Sequence, residues 1–275
     1  MKPQLVKIYS ENNHFQHVET LRRNREKRQK HKEFFVEGVR AINQALAYDW
    51  QINAFLYSTE RRLSGWAQDV LARSQARTHF ELPLALLEKL SSKTDASELL
   101  AVVAMPEDDL GRIPVHKQLL VVVFDRPASP GNLGTIIRSC DALNVDGLVI
   151  TGHAADLYDP ETISATTGSF FALPTVRLPS QRELEPWLAT IRQTIGPFQI
   201  VGSSAKAEVD IASHDFTQPT LLLIGNETWG LSAGYKALCD QLVTIPIVGS
   251  ATSLNVASAA SIMLYEIDRQ RRSTR

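Results

Sequence analysis

Three stretches in the second half of this 275-residue chain concentrate side chains able to hold and orient a ligand. The first runs from Asp125 to Arg138, directly after the apolar run LLVVVF, and carries Ser129, Gly131, Asn132, Gly134 and Arg138. The second, Gly225 to Ser232, follows TLLLI and reads GNETWGLS. The third, Thr244 to Asp268, reads as a strand end closed by Pro246, a loop loosened by Gly249 and Ser250, and a helix from near Leu254. Ser253 is the expected N-cap of that helix. Parallel sheets bind ligands beyond the carboxyl ends of their strands. Each stretch alone says little, because strand-to-helix turns use Gly, Asn and Ser for backbone reasons. Three in one domain, in this order, point to one shared site.

Several chemistries are disfavoured. Ser253 has no His/Asp pattern around it, against a hydrolase nucleophile. There is no G-x-G-x-x-G fingerprint and no ribose-binding acid after the first helix, against a nicotinamide oxidoreductase. His14, His17 and His31 lack ligand spacing, and Cys140 and Cys239 lack the partners of a zinc site; the cysteines read as reduced, buried thiols in helices. From the residues alone, Arg138 is either functional or a helix-surface cation, and Asn132 either functional or a cap. Glu227 either takes part in chemistry or holds its loop through backbone N–H groups. Trp229 either stacks on a ligand or packs the loop, with packing slightly favoured.

The elements that must position these stretches follow from the pattern. Leu119–Phe124 is continuously apolar and β-branched, as for a strand buried on both faces. Further strands are expected at 148–151, 175–178, 199–202, 220–225 and 242–245, with helices at 132–143, 160–167, 182–195 and 232–239. This alternation predicts an α/β fold with a mostly parallel sheet covered by helices on both faces. The first hundred residues alternate helix and strand as well, with one charged helix over 14–30, and form a smaller α/β unit. The expected organisation is residues 1–105, a Pro- and Gly-containing linker at 106–118, and residues 119–275.

An apolar fraction of 44% suits a globular protein. No apolar run reaches the ~20 residues of a membrane helix, and the first residues show no secretory pattern, so a cytoplasmic location and no membrane partner are expected. The net charge of −1 argues against a uniformly basic nucleic-acid binder. Yet Leu21–Lys32 holds seven basic residues (Arg22, Arg23, Arg25, Lys27, Arg28, Lys30, Lys32) against Glu26, and the tail adds Arg269, Arg271, Arg272 and Arg275. Such clusters can contact phosphates, although a charge run is more often a solvated face.

Taken together, N-x-G-x-x-x-R at Asn132, Gly134 and Arg138, G-N-E-x-x-G-L-S at Gly225–Ser232, and Ile245-Pro246 followed by S-L-N-V-A at Ser253–Ala257 resemble the SpoU (TrmH-like) branch of the SPOUT methyltransferases. The likeness covers about Leu119 to Asp268, including DLYDPETISATTGSF at Asp156–Phe170. R-x-x-R-x-K-R at Arg22–Arg28 and F-x-V-E-G at Phe34–Gly38 resemble, less specifically, the L30e-like substrate-binding domain attached to that branch. Ser129 departs from the pattern, where many members carry Asp.

This resemblance implies a deep C-terminal trefoil knot, into which the small residues Ala257–Ser261 would fit. It implies S-adenosylmethionine as methyl donor, a ribose 2′-hydroxyl of structured RNA as acceptor and a homodimer formed through the C-terminal domain; the extra N-terminal domain favours ribosomal RNA over transfer RNA. By the same likeness, Asn132, Arg138, Glu227, Ser253 and Asn255 are the candidate catalytic residues. Gly225, Asn226, Gly230, Ile245, Ser253 and Leu254 would bind the cofactor, largely through main-chain groups. Arg22, Arg23, Arg25, Lys27 and Arg28 would contact RNA, and no metal is expected. A transfer-RNA methyltransferase and a non-catalytic knotted RNA-binding protein are the rival expectations.

Overall fold

The computed structural model of the chain describes residues 3–273. The chain divides into two compact units, 1–107 with 156–171, and 108–155 with 172–275.

In the first unit the elements run β1 (Gln4–Lys7), α1 (Asn13–Arg23), α2 (Arg25–His31), β2 (Glu33–Glu37), α3 (Val39–Ala47), β3 (Ile52–Tyr57), α4 (Gly65–Arg73), β4 (Thr78–Glu81), α5 (Leu84–Leu90) and β5 (Leu100–Ala104). The five strands order as β1-β4-β3-β5-β2, with β5 antiparallel to both neighbours and the other pairs parallel. The single helix expected over 14–30 is two helices. Asn24 closes α1 with its backbone N–H on Thr20, and its side chain accepts from Lys27 N at 3.0 Å to open α2. An extended residue there breaks the helical ladder while leaving few end groups unpaired.

The second unit and its inserted segment continue with β6 (Leu120–Asp125), α6 (Pro130–Ala142), β7 (Gly147–Thr151), α7 (Pro160–Ala165), α8 (Ser169–Ala172), β8 (Thr175–Leu178), α9 (Glu185–Ile195), β9 (Gln199–Ser203), β10 (Val209–Asp210), β11 (Thr220–Ile224), α10 (Ala233–Leu238), β12 (Gln241–Thr244) and α11 (Val256–Ser273). Seven strands order as β10-β12-β9-β11-β6-β7-β8, and every pairing is parallel. β6 and β11 lie at the centre and are buried along their whole length, which is why both read as unbroken apolar runs. One face packs Val121, Val123, Leu221 and Leu223 against Trp187, Leu188 and Ile191 of α9. Residues 108–118, expected as linker, are built into this unit: Asp108 pairs with Arg177 at 2.7 Å and Ile113 is buried.

Residues 156–171 leave the second unit in sequence but pack within the first. Tyr158, Phe170 and Phe171 surround Phe34 with ring centroids 4.9, 5.6 and 6.4 Å away, and Trp50 Nε1 donates to Phe171 O at 3.0 Å.

Candidate functional site

From β6 the chain steps to β7 on one side, while β11 flanks β6 on the other. Strand order therefore reverses between β6 and β11, and open parallel sheets bind ligands in the crevice at such a point. The first two stretches leave the carboxyl ends of these two strands. The third leaves β12, two strands further out, and its helix α11 begins against the start of α6.

A chain of side-chain hydrogen bonds ties the three together. The Glu227 carboxylate accepts from Ala128 N at 2.9 Å, Ser129 N at 3.1 Å and Asn132 Nδ2 at 3.3 Å. Asn132 Oδ1 accepts from Asn255 Nδ2 at 3.1 Å. Asn255 Oδ1 in turn accepts from Ala257 N and Ser258 N at 2.9 and 3.3 Å. Asn255, not Ser253, is thus the side chain that caps α11; Ser253 stands exposed two residues earlier. Ser129 caps α6, its Oγ accepting from Asn132 N at 3.3 Å, so the serine found in place of the usual aspartate still closes the turn. With both ends of its amide engaged, Asn132 bridges the loops.

A second brace was not legible from residue spacing. Asp125 is buried, and Arg126 adopts a left-handed backbone with φ 53°. The Arg126 guanidinium grips the Asp125 carboxylate through two bonds of 2.9 Å, which push the pKa of the guanidinium up, and also reaches Gly230 O at 3.3 Å. Asp125 Oδ2 accepts from Ser232 N at 2.8 Å, and Asn226 Nδ2 donates to Arg126 O at 2.7 Å. Asn226 and Gly230 close the tip of the second loop with paired backbone bonds of 3.1 and 2.9 Å. At Gly225 a Cβ would lie 2.2 Å from Leu231 N and 2.3 Å from the Gly230 carbonyl carbon, so only glycine allows this crossing.

Arg138 lies on the exposed face of α6 and makes no ion pair or hydrogen bond among the described residues. Its neighbour Ser139 shares a 2.8 Å hydroxyl contact with Ser261, tying α6 to α11. The stretch Pro246–Leu254 has no backbone hydrogen bond to another backbone group among the described residues, leaving its N–H and C=O groups available. The cysteines cannot supply a thiolate at neutral pH: burial pushes Cys140 far up and Cys239 up to about 11. Cys239 follows α10 rather than lying within it.

The basic run divides into exposed and enclosed members. Arg23, Arg25 and Lys27 are exposed, and Arg22 is partly exposed with Nη1 on Lys89 O at 2.8 Å and Ser91 O at 3.0 Å. Arg28, expected among the RNA contacts, is buried. Its Nε and Nη2 sit on Asp156 Oδ2 at 2.9 and 2.7 Å, Nη2 reaches Asp159 at 3.2 Å, and Nη1 donates to the carbonyls of Leu21 and Arg22 at 2.8 and 2.9 Å. Its donors are turned inward, so it is removed from the RNA-contact set. Arg275 lies outside the described residues.

The central parallel sheet, its switch-point crevice and three loops pinned to one another define a ligand-binding α/β protein preceded by a smaller α/β unit. The SpoU rRNA Methylase family pattern matches residues 119–265, and the SpoU L30e-like domain pattern matches residues 12–101. This chain belongs to the SpoU rRNA methylase family. A 23S rRNA (uridine(2479)-2′-O)-methyltransferase of Streptomyces viridochromogenes is 48% identical to it over 274 residues, 99% of this chain and 95% of the relative. The solved structure of the SpoU methyltransferase AviRb from the same organism, in complex with AdoMet, shares 47% identity and superposes with a TM-score of 0.89, covering 95% of this chain and 100% of that one. The 23S rRNA (guanosine(2553)-2′-O)-methyltransferase RlmP of Bacillus subtilis is 29% identical over 246 residues, covering 88% of this chain and 91% of RlmP.

Proposed function

We propose that this chain transfers a methyl group from S-adenosylmethionine to a ribose 2′-hydroxyl of 23S ribosomal RNA in the cytoplasm. The observation that carries this reading is the junction of Glu227, Asn132 and Asn255, which gathers the three loops at the sheet's switch point and leaves Arg138 exposed and unpaired nearby in sequence. The relatives' substrates support the choice of ribosomal RNA.

The residues suit the donor. Gly225 allows the backbone to fold tightly beneath a ligand. The main-chain groups of Ile245 to Leu254, with those of Gly225, Asn226 and Gly230, can pair with an adenine edge without a dedicated side chain. S-adenosylmethionine supplies a methyl on a sulfonium whose departure is easy, so the protein's task is alignment. Arg138 cannot serve as an ordinary base, because a guanidinium keeps its proton in proteins. It instead holds the phosphate beside the target ribose and polarises the hydroxyl. Ser253, exposed on the third loop, offers a hydroxyl to the same group of oxygens. Glu227 and Asn132 keep the first loop in place, and Asn255 aligns the third with it.

The first unit grips the RNA through Arg22, Arg23, Arg25 and Lys27. A second copy of the chain packs on α11, where Ile262 and Tyr265 are exposed, and the family's trefoil knot is part of the same reading. The test is methylation of unmodified 23S rRNA with radiolabelled S-adenosylmethionine. Arg138→Ala should lower the turnover about a hundredfold or more while leaving cofactor affinity intact. Equal turnover by wild type and variant would end the catalytic assignment.

A further inference from the structure

Trp229 is the one large aromatic of the candidate site that the scheme above leaves unused, and its setting differs from the packing expected of it. The residue is 78% exposed. Exposing that much aromatic surface is unfavourable, yet the backbone beneath it is held from several sides. Trp229 N and Thr228 N both donate to Asn226 Oδ1, at 3.0 and 2.9 Å. The flanking residues Asn226 and Gly230 are bonded to each other, Arg126 Nη2 holds Gly230 O, and Asn226 Nδ2 holds Arg126 O. On the other side of the tip, Glu227 is anchored to the first loop through three donors.

The left-handed Arg126 fits the same design. Gly152, at φ +71°, leaves room for it, since a Cβ there would lie 2.8 Å from Arg126 Cγ. An unfavourable backbone at the end of β6 is therefore retained where it fixes the height of the Trp229 turn. The immediate neighbours of Trp229 are polar or glycine: exposed Thr228, half-exposed Glu227 and Gly230. This is a flat ring carried on a stiff turn whose flanking residues are polar or glycine.

We propose that Trp229 is a stacking platform for a nucleobase of the RNA substrate, next to the ribose to be methylated. The proposal rests on the RNA methyltransferase reading above. A base has a π-face whatever its identity, and a pre-ordered indole can receive it with little loss of side-chain freedom. Arg126 is then a positioning residue, acting on RNA through the turn it holds.

The experiment uses the full chain, wild type and the variants Trp229→Ala, Trp229→Phe and Arg126→Gly, with in vitro transcribed 23S rRNA and S-adenosylmethionine. Trp229→Ala should weaken RNA binding and raise the KM for RNA about tenfold, with melting temperature, cofactor affinity and sedimentation unchanged. Trp229→Phe should recover most of the affinity. Arg126→Gly suits the left-handed backbone but leaves the buried Asp125 carboxylate without its cation, so it should melt lower, show faster amide exchange at Thr228 and Trp229 and lose part of the RNA affinity, while Trp229→Ala and Trp229→Phe carry the test free of that loss. RNA should quench wild-type tryptophan fluorescence more than that of Trp229→Phe. Unchanged RNA affinity in Trp229→Ala would overturn the proposal, as would a loss confined to cofactor binding, or a shift of sedimentation showing that Trp229 meets a second copy. If wild type neither binds nor methylates the transcript, the enzymatic reading itself fails.

Discussion

Replacing Asp156 by alanine offers a severe test of how the first unit is held together. Asp156 and Arg28 are almost completely enclosed, at 6% and 2% side-chain exposure, so solvent barely screens their pairing. The substitution leaves a guanidinium inside with two carbonyls and the more distant Asp159, which is itself one-third exposed. It also removes the acceptor for Tyr158 N, now at 3.1 Å. Breaking a buried pair from one side typically costs about 3–5 kcal/mol. The surviving Asp159 contact places the expected loss near the lower end, about 3 kcal/mol, which is roughly a 10 °C fall in melting temperature for a unit of this size. Urea unfolding followed by near-ultraviolet circular dichroism, which senses the packed rings of Phe34, Trp50, Phe170 and Phe171, measures it. Asp159→Ala should cost only about 1 kcal/mol, mostly the cap that its Oδ1 gives α7 through Glu161 N, because its contact with Arg28 is more exposed. Substituting both partners together, Arg28→Met with Asp156→Leu, should recover much of the stability, since no lone charge then stays inside. A loss below about 1 kcal/mol for Asp156→Ala, or a double variant no better than the single, would refute the reasoning.

Other outcomes can be checked as directly. Gly225→Ala forces a methyl group onto the Gly230–Leu231 backbone, so calorimetry should show S-adenosylmethionine binding weakened at least about tenfold, with the loop displaced. His79 is buried with Nε2 lacking a partner, and burial lowers its pKa below the usual 6.5. Its unfolded form therefore takes up a proton first as pH falls. Stability is complete above about pH 6.5 and declines as pH drops from there through the folded-state value, by less than about 1.4 kcal/mol per pH unit. His79→Leu should flatten that part of the stability–pH curve measured by urea titration, and an unaltered slope would remove His79 as its source.

The chain made its second unit readable because buried parallel strands must be continuously apolar and the turns after them must use Gly, Asn and Ser. The strands at Leu120–Asp125 and Thr220–Ile224 and the three loops follow from that rule alone. What stayed hidden depends on distance or on backbone angle. Nothing near Arg28 announces a carboxylate 128 residues away, so the residue reads as one more cation in a basic run. Arg126 shows its left-handed geometry only once Gly152 and Gly230 stand beside it. The cap of α11 shifted by two residues because Ser and Asn are comparable caps, and only the contact with Asn132 selects Asn255. The break between α1 and α2 does not show in the sequence because Asn24 is also tolerated within a helix, so charge and periodicity alone carry across it.

The placement of residues 156–171 bears on how such chains can be recombined. A hybrid that exchanges only residues 1–107 with a relative would set foreign side chains against Tyr158, Phe170, Phe171 and Asp156. Moving both segments together carries the whole aromatic nest and its buried ion pair in one piece. Inheritance in this lineage should accordingly show the two segments changing in concert, as lock and key cut from separate stretches of one gene.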